Sequence, residues 1–256
     1  MNIRQISGID SRYAEINREE RNYAALFYHA LLTENNLEHF LKTCGVSESL
    51  GIEFGIYLEY SMLRDIWFKI NSENVKKEII EKKLNIGNIN EVLSRPTVEI
   101  NKYFGVMGIP SENEIQYPGH WAITKYNKTV QDNDDFYNIC KFKWSFNIKP
   151  DIVIHLNKDR AICIEAKYES GEGSYPSQEK DKSIFDERKL PRVGQMELQK
   201  YMMEDLLGIK TDFVFLVFKK TASKTHKVLT WAEAFHGMEL SNLPQFARDM
   251  LKNVSV

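Results

Sequence analysis

The chain has 256 residues, 43% hydrophobic and 27% charged, with a formal net charge of -2, enough length for one large domain with a substantial core. A near-neutral balance excludes the global basic footprint of a nucleic-acid binder and leaves such contact to local basic patches. Cys44, Cys140 and Cys163 show no paired spacing, which argues against a disulfide framework or a zinc site. Residues 1–13 lack an apolar signal core, and no stretch is long enough to span a membrane. The expected location is intracellular, in the cytoplasm.

The first third of the chain reads as helical. Asn17 can cap a helix over residues 17–32, with Glu19 and Glu20 in its first turn, where acids suit the helix dipole. With Phe27 at the centre of the buried face, Ala24, Leu31 and Glu20 fall within roughly 60° of it, and Arg18, Arg21 and Asn22 point away. Glu20 is therefore an acid directed inward, toward a functional site or toward backbone amides or a buried arginine that satisfy it. Glu59, in the apolar run 56–68, is the runner-up to Glu20, because it sits off the stripe centred on Met62.

Residues 73–86 predict an amphipathic helix with a solvated charged face. Residues 105–135 are rich in Gly, Pro, Asn and aromatics without sustained periodicity, and His120 there is a lone loop histidine. Residues 141–149 alternate Phe142, Trp144, Phe146 and Ile148 with Lys141, Lys143 and Lys149. A continuous strand would place those lysines on the parity of Asp151, as a phosphate-seating stripe or as solubilising charge.

The densest chemistry lies in residues 149–168. Ile152, Ile154, Leu156, Ile162, Ile164 and Ala166 occupy even positions, whereas Asp151, Val153, His155, Cys163, Glu165 and Lys167 occupy odd ones. Period two predicts two strands with distinct faces, and the polar run 157–160 predicts the turn of a β-hairpin. A three-residue loop puts Asp151 opposite Lys167, and a five-residue loop puts it opposite Glu165. A four-residue loop would send Asp151 to the other face unless a bulge intervenes. Glu165 and Lys167 project side by side, about 7 Å apart. Two carboxylates so placed repel unless a cation lies between them, and all-oxygen ligation suits Mg²⁺ or Mn²⁺. Carboxylates and an amine are the parts needed to activate water against a phosphodiester.

Beyond Lys167, the polar segment 169–192 shows neither helical nor strand pattern and reads as a mobile flap or a disordered loop. It carries Lys180, Lys182, Arg188, Lys189 and Arg192. Residues 193–208 predict a helix stopped by Gly208, with Gln195, Gln199, Met202 and Leu206 on one face. Residues 212–220 predict a strand buried on both faces and parallel to its neighbour, 227–231 another strand, and 242–253 a closing helix. The expected architecture is a three-layer α/β fold with a mixed sheet in a single domain, with a helical portion over about residues 1–104 and an α/β core over about 136–256.

Pro150-Asp151, thirteen intervening residues and then Glu165-Ala166-Lys167 resemble the PD-(D/E)xK nuclease superfamily. The resemblance is strong over about twenty residues. It implies a restriction-endonuclease-like core and a Mg²⁺- or Mn²⁺-dependent nuclease acting on DNA. Asp151 and Glu165 would ligate metal, the Ala166 carbonyl would add a ligand, and Lys167 would orient or polarise water. Members often supply a further acid from an early helix, the role Glu20 would take. RecB-like members carry a Gln-x3-Tyr pair on the helix after the lysine strand; Gln195 matches the first position, and Gln199 stands in place of the Tyr. Relatives serve in restriction, repair, transposition and antiviral defence. Cutting both strands would favour a homodimer. The alternative is a nuclease-like binding subunit, or one whose cleavage needs a helicase or other effector partner.

Overall fold

The computed structural model of the protein describes residues 6–8, 12, 16–47, 50–51, 53–106, 108–168, 170–219, 226–252 and 254, so most of residues 1–13, read above for a signal core, lie outside it. The fold is α/β. The described residues form twelve α-helices and a five-stranded mixed sheet, with a two-stranded ladder besides. No helix among them is long and apolar enough to cross a membrane.

The chain folds into two compact units that interleave in sequence. One comprises Met1–Tyr60, Pro150–Gly171 and Asp212–Val256; the other comprises Ser61–Lys149 and Glu172–Thr211. Residues of the helical first third accordingly fall in both.

The first unit begins with helices α1 (Glu20–Leu31) and α2 (Glu34–Cys44). Then come strands β1 (Gly55–Leu58), β2 (Ile152–Asn157), β3 (Arg160–Ala166), β4 (Lys210–Val217) and β5 (Lys227–Thr230), and helices α3 (Trp231–Phe235) and α4 (Gln245–Leu251). The strands lie in the sheet in chain order. β1, β2 and β3 pair antiparallel and β4 pairs parallel with β5, which makes the sheet mixed. The even-numbered hairpin residues, Ile152, Ile154, Leu156, Ile162, Ile164 and Ala166, join Val214 and Leu216 in the core beside Tyr23, Phe27, Phe40 and Trp231. Phe27 sits at the centre of the α1 face, edge-on to Phe40 at 5.1 Å and to Phe235 at 5.2 Å. Each such ring removed from water contributes about 1.5–3 kcal/mol.

The start of α1 differs from expectation by two residues. Glu19 is the N-cap residue, and the Asn17 side chain instead accepts from the Glu19 amide at 2.9 Å. Glu20 thus opens the helix.

The second unit is mainly helical, and two expectations are corrected in it. Residues 141–145 belong not to a strand but to the helix Asn133–Ser145, which Asp132 caps by accepting from the amides of Asp134 and Asp135. Apolar side chains on two sides of this helix imitate strand alternation. The lysine stripe therefore does not exist: Lys141 lies 4.8 Å from the centre of the Tyr201 ring, and Lys143 donates to the Gly119 carbonyl at 3.4 Å. The supposed flap is also structured. Ser174–Tyr175 pairs with Val193–Gly194 around the helix Glu179–Glu187. Arg188 is no flap cation, since its guanidinium donates to Asn127, Gln131, Asn133 and Val130 and lies over the Phe136 ring at 4.1 Å.

The helix at 73–86 runs Glu73–Lys83, and its face is less solvated than its charge suggests, because Lys76 is buried. The helix Gln195–Lys200 continues as a π-helical segment, Tyr201–Leu206, before Gly208 turns at φ +73°.

Candidate active site

The hairpin register decides where the acids lie. Ile152 pairs with Ile164 and Val153 with Cys163, so by extension Asp151 stands opposite Glu165. This is the five-residue-loop register, reached by a tighter route. A register shift between His155 and Asn157 lets Asn157 pair with Arg160 across a two-residue turn. The irregularity absorbs the odd residue that would otherwise turn Asp151 to the other face. Directly opposed residues place their side chains about 5 Å apart at Cβ.

Lys167, one residue past β3, is held by backbone on both sides. Its amide donates to the Leu216 carbonyl on β4 at 2.8 Å, and its carbonyl accepts from the Trp231 indole at 2.9 Å. With the main chain pinned, Nζ reaches Glu165 Oε1 at 2.5 Å and Glu20 Oε1 at 3.3 Å. The other Glu20 oxygen accepts from the Tyr168 amide at 3.3 Å and the Ser170 hydroxyl at 3.1 Å. Glu20 thus ties the start of α1 to the end of β3. Asp151 Oδ2 accepts from the Ala166 amide at 2.7 Å, joining the two strand ends directly.

The electrostatics follow from this packing. Burial, and then the facing charge of Glu165, push the Asp151 carboxyl up to about 7, against the opposing pull of the Ala166 amide and Lys167. For Lys167, burial alone would favour the neutral amine. Glu165, with Glu20 and Asp151 behind it, outweighs burial and raises its pKa above the ordinary lysine value. Lys167 is therefore an ammonium held in place. Glu165 is 1% exposed, so its charge depends on that ammonium.

Four residues singled out in the sequence, Asp151, Glu165, Lys167 and Glu20, are brought together. Gln195 belongs to the second unit, at the first position of its helix, where its main-chain amide donates to the Gly173 carbonyl at 2.8 Å. Gln199 is fully buried in that helix. Glu59, the runner-up, is exposed just past β1 with φ +52°, and its amide donates to the Asp151 carbonyl at 2.8 Å. His120 is exposed and lies edge-on to Tyr117.

Sequence reasoning missed Trp231 and Ser170. Trp231 lies 64 residues from the carbonyl it holds and carries no local signal.

No group of three or more His, Cys, Asp or Glu side chains gathers as metal ligands among the described residues. Two opposed carboxylates remain, and their chemistry suits a hard divalent cation: the donors are oxygen, and Asp151, raised by burial and then by the facing charge of Glu165, is a carboxyl whose charged form a cation would favour. Magnesium characteristically takes one or two protein carboxylates and completes its octahedron with water and phosphate oxygens. A cleft of about 790 Å³ on the outer side of α1, lined by Asn17, Leu26, His29, Phe246 and Met250 among others, is separate from this cluster and contains none of its members.

No protein-family model matches the chain, and neither a curated protein nor a solved structure matches it.

Proposed function

We propose that the protein is a divalent-metal-dependent endonuclease that hydrolyses DNA phosphodiester bonds on a restriction-endonuclease-like core, in cellular defence, restriction or repair. The observation carrying this reading is the convergence of Asp151, Glu165 and Lys167 at one end of the hairpin, with Lys167 fixed at Glu165 and Asp151 in charge excess. Asp151 and Glu165 would hold Mg²⁺ or Mn²⁺, with the Ala166 carbonyl as the further ligand that the family resemblance implies. Bound there, the cation supplies Lewis-acid charge and a water of lowered pKa.

The chain's own contribution is positional. Held as an ammonium between Glu165 and Glu20, Lys167 would donate hydrogen bonds from Nζ, orienting water or a phosphate oxygen beside Glu165. Glu20 and Trp231 keep that amine in place. DNA is the substrate that the superfamily resemblance implies.

Incubation with supercoiled plasmid in Mg²⁺, Mn²⁺ and EDTA tests this. Metal-dependent nicking is expected from the wild type, with a loss of about a thousandfold or more in Asp151→Asn and Lys167→Ala. No cleavage by folded wild-type protein under any metal would contradict it.

A second reading is favoured by one contact: Nζ is already shared between Glu165 and Glu20, an arrangement that a partner could open. In that reading cleavage awaits a helicase or other effector, and the isolated chain binds without cutting.

A further inference from the structure

An aromatic column rises beside Lys167. Trp231, fully buried, meets Tyr23 at 6.2 Å between ring centres; Tyr23 stacks on Tyr168 at 5.1 Å with the planes 8° apart; and Tyr168 meets Phe218 at 5.4 Å. Burial falls along the column, from complete at Trp231 and Tyr23 through half-buried Tyr168 to Phe218, which is 36% exposed. The column and the ion cluster share their supports. Trp231 holds the Lys167 carbonyl, Glu20 accepts from the Tyr168 amide, and Tyr168 directly follows Lys167. The exposed amine of Lys219 follows Phe218.

Phe218 ends this series of ring contacts, tilted 39° to Tyr168, partly open to water and followed by a cation, an arrangement in which another flat ring can extend the series. In a paired duplex the base faces are covered by their neighbours, so only an unpaired, terminal or extruded base presents one. We propose that Phe218 is a stacking platform for an unpaired base beside the phosphate engaged at Lys167, so that the substrate is single-stranded or locally unpaired DNA. This substrate assignment rests on the nuclease reading; the stacking itself does not.

The test therefore reads binding apart from cleavage. Asp151→Asn protein, in which the amide oxygen still accepts from the Ala166 amide, is titrated with a single-stranded oligonucleotide carrying 2-aminopurine and with the same sequence as a duplex. Quenching of 2-aminopurine on the single strand is expected. Adding Phe218→Ala should weaken that binding about tenfold and abolish the quenching. Phe218→Tyr should preserve both, Phe218→Leu should not, and duplex affinity should be unchanged throughout. Thermal melting confirms that each variant is folded.

Single-strand binding with quenching but without metal-dependent cleavage in wild-type protein supports the platform while the nuclease reading falls. Duplex cleavage that Phe218→Ala leaves unchanged, Leu binding as tightly as Phe, or no binding to the single strand overturns the platform.

Discussion

Two lysines are buried among the described residues, each between two acids, and they differ in what surrounds those acids. Lys76, in the second unit, pairs with Glu114 at 2.8 Å and Glu73 at 3.3 Å and lies 5.7 Å from the centre of the Trp67 ring. Its acids reach water, their side chains 65% and 28% exposed. Lys167 pairs with Glu165, whose side chain is 2% exposed, and with Glu20, while Asp151 adds a third carboxylate across the strand. The first cluster is a solvated ion pair with a buried stem. The second holds more negative charge than its one cation balances, and that excess distinguishes a candidate cation site from an ordinary ion pair.

The largest effect that separates the two should come from removing each amine. Lys167→Met removes the ammonium beside Glu165 in the interior, so denaturant unfolding should register a loss of about 3–5 kcal/mol. The double variant Glu165→Gln/Lys167→Met should recover most of it. A loss below about 1 kcal/mol in the single variant would mean that Glu165 is better solvated than its burial indicates.

Next in size is a pH dependence peculiar to the Lys167 cluster. The folded-state pKa of Asp151 is raised to about 7 from an ordinary 3.8, so the folded chain binds this proton more tightly than the unfolded chain does. The resulting stabilisation is full below about pH 4 and is lost as pH rises through about 7, a change on the order of a few kcal/mol in metal-free protein. Asp151→Asn should flatten that slope and be the more stable protein at about pH 8. His155, whose pKa burial lowers, contributes a slope of opposite sign, gaining stability as pH rises toward its ordinary value, and the variant comparison removes it. An unchanged slope in Asp151→Asn would contradict the assigned charge excess.

The smallest effect belongs to the Lys76 cluster. Lys76→Met keeps the stem against Trp67 and frees two acids that already reach solvent. A loss of about 1 kcal/mol is expected, with nucleic-acid cleavage untouched.

The sequence made one of these clusters legible and hid the other. Asp151, Glu165 and Lys167 share odd parity on strands, and period two carries over directly to a face of the sheet. The exact register was not legible, because the irregularity between His155 and Asn157 leaves no compositional mark. Glu20 was readable from helical spacing about Phe27. Lys76 was not, because a lysine in ENVKKEIIEKK looks solvated until Trp67 is placed beside it.

The strand expected through Phe142, Trp144 and Phe146 failed for a related reason: a helix buried on two sides displays apolar residues two apart. The signal against it lay upstream, in the capping Asp132 and the helical spacing of Phe136, Ile139 and Cys140. The helix Glu179–Glu187 buries only Ile184 and Phe185, too little apolar surface to show as a pattern.

The central claim is that Asp151 and Glu165 share a divalent cation. Titration of the wild type with Mn²⁺, followed by the electron paramagnetic resonance of the free ion, tests it most directly, beside Asp151→Asn and Glu165→Gln. One saturable site per chain that is lost in both variants is the expected result. No saturable binding, or binding that survives both substitutions, would contradict the account.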